Sequence, residues 1–406
     1  MKKMSFGVAT VDITPPVGVT LMGYNPRIAE RIAMPLRAEA LVCADADGGG
    51  WILISADVCA FGARLSGAIR AELAAATGLP SAAINLAPTH THSGPHVTDA
   101  LWCERSELES NYFVELRRKL IAVALQAWRR RAPGELLTGR TSAPAIGRNR
   151  RQQQPDGSWA NLWADPENKG YFDATVELVG LRRPDGRIEA LLVNFGCHPV
   201  GFGPHYNAVS GDYVGYLKQT LEADGQVGTV IFTVGGHANI NPRTCVQNDE
   251  AVVQATGEKL AQIVTAALPQ LELLAAETAG ALSEPWHFET TWSLEGRLAI
   301  YFPHVARGSE VEASIAAWGA GDLAFIGLPG ETVNEYRDIF CSQSPFKRTI
   351  LVSLTNDYLG YFATDAILRE GAYEARMCPL NPIQEVLTAR GRSALAALDR
   401  QLRRNR

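Results

Sequence analysis

Three of the chain's eight histidines, His90, His92 and His96, lie within the ten-residue stretch APTHTHSGPH. In an extended segment, side chains at positions i and i+2 project on the same side, and their Cα atoms are roughly 6 to 7 Å apart. His90 and His92 can therefore face one cavity, where imidazole nitrogens suit a zinc ion. A lone HxH pair is weak support for a metal site, because histidines also occur in ordinary polar loops. The pattern needs further ligands from elsewhere in the chain.

Other polar side chains follow apolar runs of strand length. The carboxyl ends of strands in α/β sheets are where binding sites are assembled, so these run ends are expected to converge on one pocket. The residues concerned are Asp57, His90, His92, His198, His237, Asn239, Asn241, Glu331, Asn356, Asp357, Tyr358 and Tyr361. Among them, His198 and Glu331 would complete a zinc sphere of nitrogen and oxygen ligands that keeps one position open for water.

Three further polar residues, Asp57, Asp212 and Asn194, are candidates for orienting the ligating imidazoles through hydrogen bonds. No pattern supports a role for the remaining histidines. We expect His96, His205, His287 and His304 to lie at the surface or to have satisfied hydrogen bonds.

Strand-like and helix-like segments alternate along the chain, and two strand pairs have hairpin character. This order predicts an α/β fold with mixed β-sheets at the core and flanking helices. The strongest predicted helix is 107–131, which is acidic at its start and basic at its end. A helix is also predicted near 331–342, and the segment 151–170 is predicted to be a surface excursion. No linker and no repeat of 20 to 50 residues is visible, so we expect residues 1–406 to form a single domain.

Composition limits the class of protein and of partner. The chain has 406 residues, of which 46% are hydrophobic, and a formal net charge of -5. A small net negative charge does not indicate the clustered positive surface that binds nucleic acid, so a small molecule is the expected partner. No leader or membrane-spanning stretch is visible and the seven cysteines form no CxxC pair, which predicts a cytoplasmic protein with reduced thiols. Homo-oligomerisation is left open.

Seven pieces of the sequence, taken together, resemble the neutral/alkaline (non-lysosomal) ceramidase family, specifically its catalytic N-terminal domain. They follow one another in the family's order along nearly the whole chain. The pieces are GVATVDITPPVGVTLMGY (7–24), THTHSGP (89–95), GRNRR (147–151), NFGCHPV (194–200), SGDYVGY (210–216), GLPGE (327–331) and NDYLGYFAT with YEA (356–375).

The resemblance implies a ceramidase-like fold, one Zn²⁺ per chain and a set of site residues. The implied zinc ligands are His90, His198, Glu331 and Tyr361. His92 is implied as a proton-handling catalytic group, and Arg150 and Tyr373 are implied as hydrogen-bond donors to the developing oxyanion.

The sequence departs from the family at two places. GGHANINPR stands where the family has a GDxSPN-like segment, with Asn241 at the position of the serine, so no serine nucleophile is expected there and His237 becomes a candidate substrate contact. The family's C-terminal immunoglobulin-like domain and export signal have no counterpart, so we expect a short form for which ceramide is not the favoured substrate.

Three classes of function remain open on the sequence. The first hypothesis is a zinc-dependent hydrolase that uses metal-activated water to cleave the amide bond of a small or lipid-like N-acyl compound. An esterase, a lactonase or a true ceramidase would use the same carbonyl chemistry. A non-catalytic metal-binding or ligand-binding protein is an alternative of another class, and an isomerase or lyase with a metal-stabilised enolate is a weaker one.

Overall fold

The computed structural model describes residues 4–98, 105–164, 167, 170–291 and 308–404. These residues form three mixed β-sheets with helices packed on them, which confirms the predicted fold class. His304 lies outside the described residues. No helix among the described residues has the length and apolar character needed to cross a membrane.

The first sheet is built from the N-terminal third of the chain. Its elements and the short strands between them are β1 (Ser5–Asp12), β2 (Thr20–Leu21), β3 (Arg27–Ile28), β4 (Arg31–Ile32), β5 (Arg37–Ala44), β6 (Gly50–Ala56), α1 (Ala63–Thr77), β7 (Ile84–Pro88), α2 (Glu107–Arg129) and β8 (Ala132–Pro133). The predicted hairpin is present as β5 and β6, and helix α2 begins at a capping box formed by Ser106 and Glu109.

The second sheet comes from the middle of the chain. Its elements and the intervening short strands are β9 (Glu135–Ser142), β10 (Gly147–Asn149), β11 (Arg151–Gln153), β12 (Trp159–Asn161), β13 (Thr175–Arg182), β14 (Ile188–Phe195), β15 (Ala208–Val209), α3 (Asp212–Ala223), β16 (Val227–Val234), β17 (Ile240–Pro242), α4 (Glu250–Ala267) and β18 (Glu272–Leu274). Strands β11 and β12 pair as a hairpin, so the segment predicted as a plain surface excursion has regular structure.

The third sheet comes from the C-terminal third of the chain. Its elements are β19 (Ala279–Glu289), β20 (Glu310–Ala320), β21 (Leu323–Gly327), β22 (Glu331–Thr332), α5 (Tyr336–Cys341), β23 (Arg348–Val352), β24 (Tyr361–Phe362), α6 (Asp365–Glu370), α7 (Ala372–Arg376) and α8 (Gln384–Arg404). The helix predicted near 331–342 is wrong at its start, because residues 331 and 332 pair with β24 as a short strand.

All three sheets share a four-stranded part with the same topology, to which β8 and β18 add a fifth strand in the first and second sheets. In each, three antiparallel strands are followed by a helix and a fourth strand that pairs in parallel with the third, giving the orders β7-β6-β5-β1, β16-β14-β13-β9 and β23-β21-β20-β19. A second helix follows each fourth strand along the chain: α2, α4 and, after the short α6 and α7, α8. The chain therefore contains three topologically equivalent units, which we call the first, second and third unit.

The alternating direction of side chains along the strands explains how the units pack. On β20, Trp318 lies in a large central core while Ala317 faces the layer containing α8. On β14, Leu192 lies in the central core while Val193 faces the layer containing α3 and α4. Successive strand side chains point to opposite faces, so each sheet can bury both faces in this way. Residues that follow the parallel strand pairs of the three units, His90, His198 and Glu331, line one cavity.

Candidate metal centre

His90 follows β7 of the first unit. Its φ angle is 71°, so the segment is not extended as predicted, and the chain turns sharply at this residue. The turn is fixed by hydrogen bonds from the backbone N–H of Thr89 to the carbonyl of Ala56 and from that of His90 to the carbonyl of Val58. His90 Nδ1 lies 2.6 Å from the carbonyl oxygen of Cys59. Because a carbonyl only accepts, Nδ1 carries a proton, and Nε2 faces the site, where it can bind an ion when it is deprotonated.

His198 and His237 follow the parallel strands β14 and β16 of the second unit. His198 Nδ1 lies 2.8 Å from the carbonyl oxygen of His237, and His237 Nδ1 lies 3.0 Å from that of Gly235. Both imidazoles are buried, and their ring centroids are 4.5 Å apart. Both rings therefore present Nε2 to the same space as His90, with the carbonyl partner on Nδ1 that is typical of metal-ligating histidines.

Glu331 of the third unit lies at the centre of these imidazoles. Its Oε2 is 3.0 Å from His198 Nε2 and 3.6 Å from both His90 Nε2 and His237 Nε2. Burial works to raise the pKa of Glu331, but His90 and His198 lower it well below its ordinary value, so the carboxylate is ionised. One buried carboxylate and three imidazole lone pairs at these distances form a donor set that suits a zinc ion.

Tyr361 lies beside this carboxylate. The register of the parallel strands β22 and β24 places Glu331 directly opposite Tyr361, and the phenol interacts with both Glu331 and Arg150. Burial and the negative charge of Glu331 raise the pKa of Tyr361 well above its ordinary value. A phenolate at this position would consequently need the positive charge of a bound ion. The other oxygen of Glu331, Oε1, accepts a hydrogen bond of 3.0 Å from the Tyr358 hydroxyl.

His92 differs from the other three imidazoles at the site. Its Nε2 lies 3.3 Å from His90 Nε2, whereas its Nδ1 has no hydrogen-bond partner among the described residues. Its ring packs against Tyr24, and its carbonyl accepts a hydrogen bond from the Arg27 guanidinium. No carbonyl fixes the proton on one nitrogen, so His92 can carry a proton on either.

Arg150 is buried at the edge of the site. Its Nε donates to Glu374 Oε1 at 2.9 Å and its Nη1 to Asn241 Oδ1 at 3.4 Å, while Nη2 has no partner among the described residues. Burial works to lower its pKa, but Glu374 raises it above the ordinary value, so the guanidinium stays charged. The guanidinium carbon lies 5.6 Å from the ring centre of Tyr373 and 4.5 Å from that of Trp163. Arg150 is thus a cation fixed in place by Glu374 and Asn241, and the two N–H groups of its Nη2 have no partner among the described residues.

These side chains line a cavity of about 450 Å³. All seven predicted site residues contribute to its wall: His90, His92, Arg150, His198, Glu331, Tyr361 and Tyr373. Apolar and aromatic side chains supply most of the rest, namely Met22, Tyr24, Trp163, Val200, Val246, Tyr358 and Met377. A mostly apolar wall with a few convergent polar groups is typical of a small-molecule site.

The structure corrects two sequence-based interpretations near the site. Asp57, Asp212 and Asn194 do not orient the imidazoles, because Asp57 accepts from Lys218, Asp212 from backbone N–H groups including Gly201, and Asn194 donates to Thr233. Backbone carbonyls orient the imidazoles instead, and a sequence pattern does not show which carbonyls these are. His237 lies in the imidazole cluster, not merely near a substrate. The position of His237 just after an apolar strand was the feature of the sequence that could have indicated its place in the cluster.

The other predicted histidines are placed as expected. His205 and His287 are exposed, and His96 pairs through Nε2 with the Thr98 hydroxyl at 3.1 Å. None of the three belongs to the cluster.

Comparisons with known proteins identify the family and the fold of the chain. A family model described as neutral/alkaline non-lysosomal ceramidase, N-terminal, matches residues 4–256. No curated protein matches the sequence. Among solved structures, one titled "Ceramidase complexed with C2" matches with a TM-score of 0.80 and 17% identity over 99% of this chain and 76% of that chain. The neutral ceramidase from Pseudomonas aeruginosa matches with a TM-score of 0.80 and 18% identity over 99% of this chain and 75% of that chain.

Proposed function

The chain belongs to the neutral/alkaline non-lysosomal ceramidase family, and we propose on this premise that it is a zinc-dependent hydrolase cleaving the carbon–nitrogen bond of a small or lipid-like N-acyl compound. Family membership implies a hydrolase acting on amide bonds. The observation that carries the zinc proposal is the convergence of buried imidazole Nε2 atoms on the Glu331 carboxylate, 3.0 to 3.6 Å away.

The proposed ligands are His90, His198, Glu331 and Tyr361, around one zinc ion per chain. When bound, zinc lowers the pKa of a coordinated water towards about 7 and polarises a carbonyl oxygen. The remaining steps belong to side chains around the ligands.

His92 is proposed to take a proton from the attacking water and to pass it to the leaving amine. Two observations support this role: its Nδ1 has no hydrogen-bond partner in the described part of the chain, and its Nε2 lies 3.3 Å from Nε2 of the ligand His90. Arg150 is proposed to donate through Nη2 to the oxygen of the scissile carbonyl as negative charge develops there. Tyr373, which packs against Trp163 and Tyr361, is proposed to donate from the same side.

The cavity wall supports an acyl substrate. Methionine, valine and aromatic side chains offer an apolar surface to a hydrocarbon chain, while Arg150 and the imidazoles meet the polar group. Asn239 hydrogen bonds to Glu335, and Asn241 to the Trp163 carbonyl, so the segment that lacks the family's serine is held by the protein. We propose that substrate contacts differ here and that ceramide is not the preferred substrate.

The cavity is lined by residues from Met22 to Met377, which come from all three units. We therefore propose that residues 1–406 work as one zinc hydrolase domain. A cytoplasmic location stays a prediction, and homo-oligomerisation stays open.

The proposal is tested by a substrate screen on zinc-loaded protein. The panel contains N-acyl amides and esters with matched acyl groups of graded length, together with lactones and a long-chain ceramide. We expect hydrolysis of short- and medium-chain amides, loss of turnover on chelation, and its return when zinc is added back. The control is His90→Ala, which lacks a proposed ligand.

Each alternative has its own outcome in this screen. Turnover of esters or lactones with inert amides identifies an esterase or a lactonase, and fastest turnover of the long-chain ceramide identifies a true ceramidase. Stoichiometric zinc without turnover of any substrate identifies a metal-binding protein.

A further inference from the structure

His237 is a fully buried histidine to which the proposed mechanism gives no role. It stands in the segment where this chain departs from the family pattern. Its Nδ1 is committed to the Gly235 carbonyl, and its Nε2 has no hydrogen-bond partner among the described residues. A buried imidazole nitrogen without a partner is costly, and such an atom calls for a bound group.

The distances around Glu331 fit an ion shared by three imidazoles. Ligand atoms bound at 2.0 to 2.2 Å around a tetrahedral zinc ion are roughly 3.3 to 3.6 Å from one another. Glu331 Oε2 lies 3.6 Å from His237 Nε2, the same distance as from His90 Nε2. The ring centroid of His237 is 4.7 Å from that of His90 and 4.5 Å from that of His198. His237 is therefore as close to the Glu331 carboxylate as His90, which is already assigned as a ligand, although His198 is closer at 3.0 Å.

The His237 loop is fixed to the loop that carries Glu331. The Ala238 N–H donates to the Thr332 carbonyl at 2.9 Å. Asn334 donates twice to the His237 loop, through its backbone N–H to Asn239 Oδ1 and through Nδ2 to the Gly236 carbonyl. A Cβ atom at Gly236 would lie 2.9 Å from the Val333 carbonyl oxygen, so glycine permits this close approach. The position of the imidazole relative to the carboxylate is thus built into the fold.

Unit topology gives the same assignment. His90 follows the fourth strand of the first unit, β7, and His237 follows the equivalent strand of the second unit, β16. His198 and Glu331 follow the third strands, β14 and β21, of their units. The site is therefore assembled from equivalent strand ends, and His237 occupies one of them.

We propose that His237 is a metal ligand, so that the centre holds its ion with three imidazoles and the Glu331 carboxylate. This rests on the proposed metal centre and gives His237 the ligand position that the family resemblance assigns to Tyr361. Imidazoles are neutral, so the ion keeps more of its positive charge than it would with a phenolate in place of His237, which favours polarisation of a carbonyl. Zinc accommodates a fifth ligand, so a centre with these four protein ligands would keep room for a water.

The first test counts imidazoles without any substitution. X-ray absorption on the zinc-loaded wild-type protein should fit three imidazole nitrogens in the first coordination sphere. Two imidazoles would overturn the proposal, even if the zinc content is stoichiometric.

The second test measures zinc affinity by chelator competition in His237→Asn and His205→Ala. His205 is exposed and serves as the matched histidine control. We expect His237→Asn to lose about 100-fold or more in affinity, and His205→Ala to match the wild type. Wild-type affinity in His237→Asn, with a folded apoprotein by circular dichroism, would contradict the proposal.

These readouts separate this inference from the proposed function. A protein that holds zinc through three imidazoles but cleaves no amide fails only the proposed function. A protein that cleaves amides with two imidazoles on its zinc fails only the present inference.

Discussion

At the scale of single residues, His90 and His92, which are separated by one residue, have different surroundings and should have different roles. His90 is committed through Nδ1 to a carbonyl and faces Glu331, whereas His92 Nδ1 has no partner among the described residues. We expect His90→Ala to lose zinc, and His92→Ala to keep zinc while its kcat falls about 100- to 10,000-fold. Zinc content by elemental analysis and steady-state kinetics on the same preparations check both. Equal zinc loss in the two variants would make His92 a ligand.

Arg150 has a role that can be separated from its ion pair. Glu374 is held by both Arg150 and Arg151, but only Arg150 lines the cavity. Arg150→Ala should lower kcat by about 100- to 1,000-fold through loss of an oxyanion donor. Arg151→Ala is the matched control, since it also removes a partner from Glu374. If both variants lose kcat equally, the effect of Arg150 comes from Glu374 and not from the reacting carbonyl.

At the scale of elements, the loop after β2 shapes the space behind His92. Gly23 has a φ of 111°, and a Cβ atom there would lie 2.3 Å from His92 Cγ. Gly48, in the turn between β5 and β6, has a φ of 89° and open space around its Cβ position. Alanine at either position should cost about 1 to 2 kcal/mol in the free energy of unfolding through backbone strain.

Only Gly23→Ala should also displace the His92 ring. We expect its kcat to fall about 100-fold, because a shift of about 1 Å in a catalytic group has an effect of this size. Gly48→Ala should keep wild-type kcat. Chemical denaturation and kinetics on both variants are the measurements, and unchanged kcat in Gly23→Ala would mean that His92 needs no fixed position.

Much of this element-scale arrangement follows from local sequence, and some does not. The β5–β6 hairpin and helix α2 could be predicted because their patterning and end residues agree with their structure. The turn at His90 could not, because its positive φ is imposed by hydrogen bonds to Ala56 and Val58, which lie on another strand or just beyond it. The short α5 was missed at its start because pairing with Tyr361 overrides local helix propensity at Glu331.

At the scale of the whole molecule, the equivalence of the three units was not visible in the sequence. Sheet topology depends on which strands pair, and different apolar side chains can fill equivalent strand positions. The strand ends that form the site could be predicted, since polar residues after apolar runs mark them. Their convergence depends on the packing of three sheets around one core, which local patterns do not encode.

A buried charge cluster joins the first two units. Lys218 on α3 donates to Glu39 on β5 at 3.0 Å and to Asp57 after β6 at 2.9 Å, and all three side chains are buried. Burial works to lower the pKa of Lys218, but Asp57 and Glu39 raise it above its ordinary value. The contribution of this pairing to stability is therefore present below the unfolded pKa of lysine, about 10.4, and is lost as the pH rises through the folded value.

Removing the Lys218 ammonium should reveal the free-energy cost of burying the Glu39 and Asp57 carboxylates. We expect Lys218→Met to lower the free energy of unfolding at pH 7 by about 3 to 5 kcal/mol, since it removes the cation that bonds to both buried carboxylates and leaves Arg37, whose Nε lies 3.2 Å from Glu39 Oε1, to offset their charge only in part. Burial already raises the pKa of Glu39 while Lys218 works to lower it, so removing Lys218 should raise this pKa further, and the deficit should shrink as the pH falls towards 5. Lys259→Met on the exposed face of α4 is the matched control. Denaturant unfolding at pH 5, 7 and 8 measures this, and a deficit independent of pH would assign the loss to packing instead of charge.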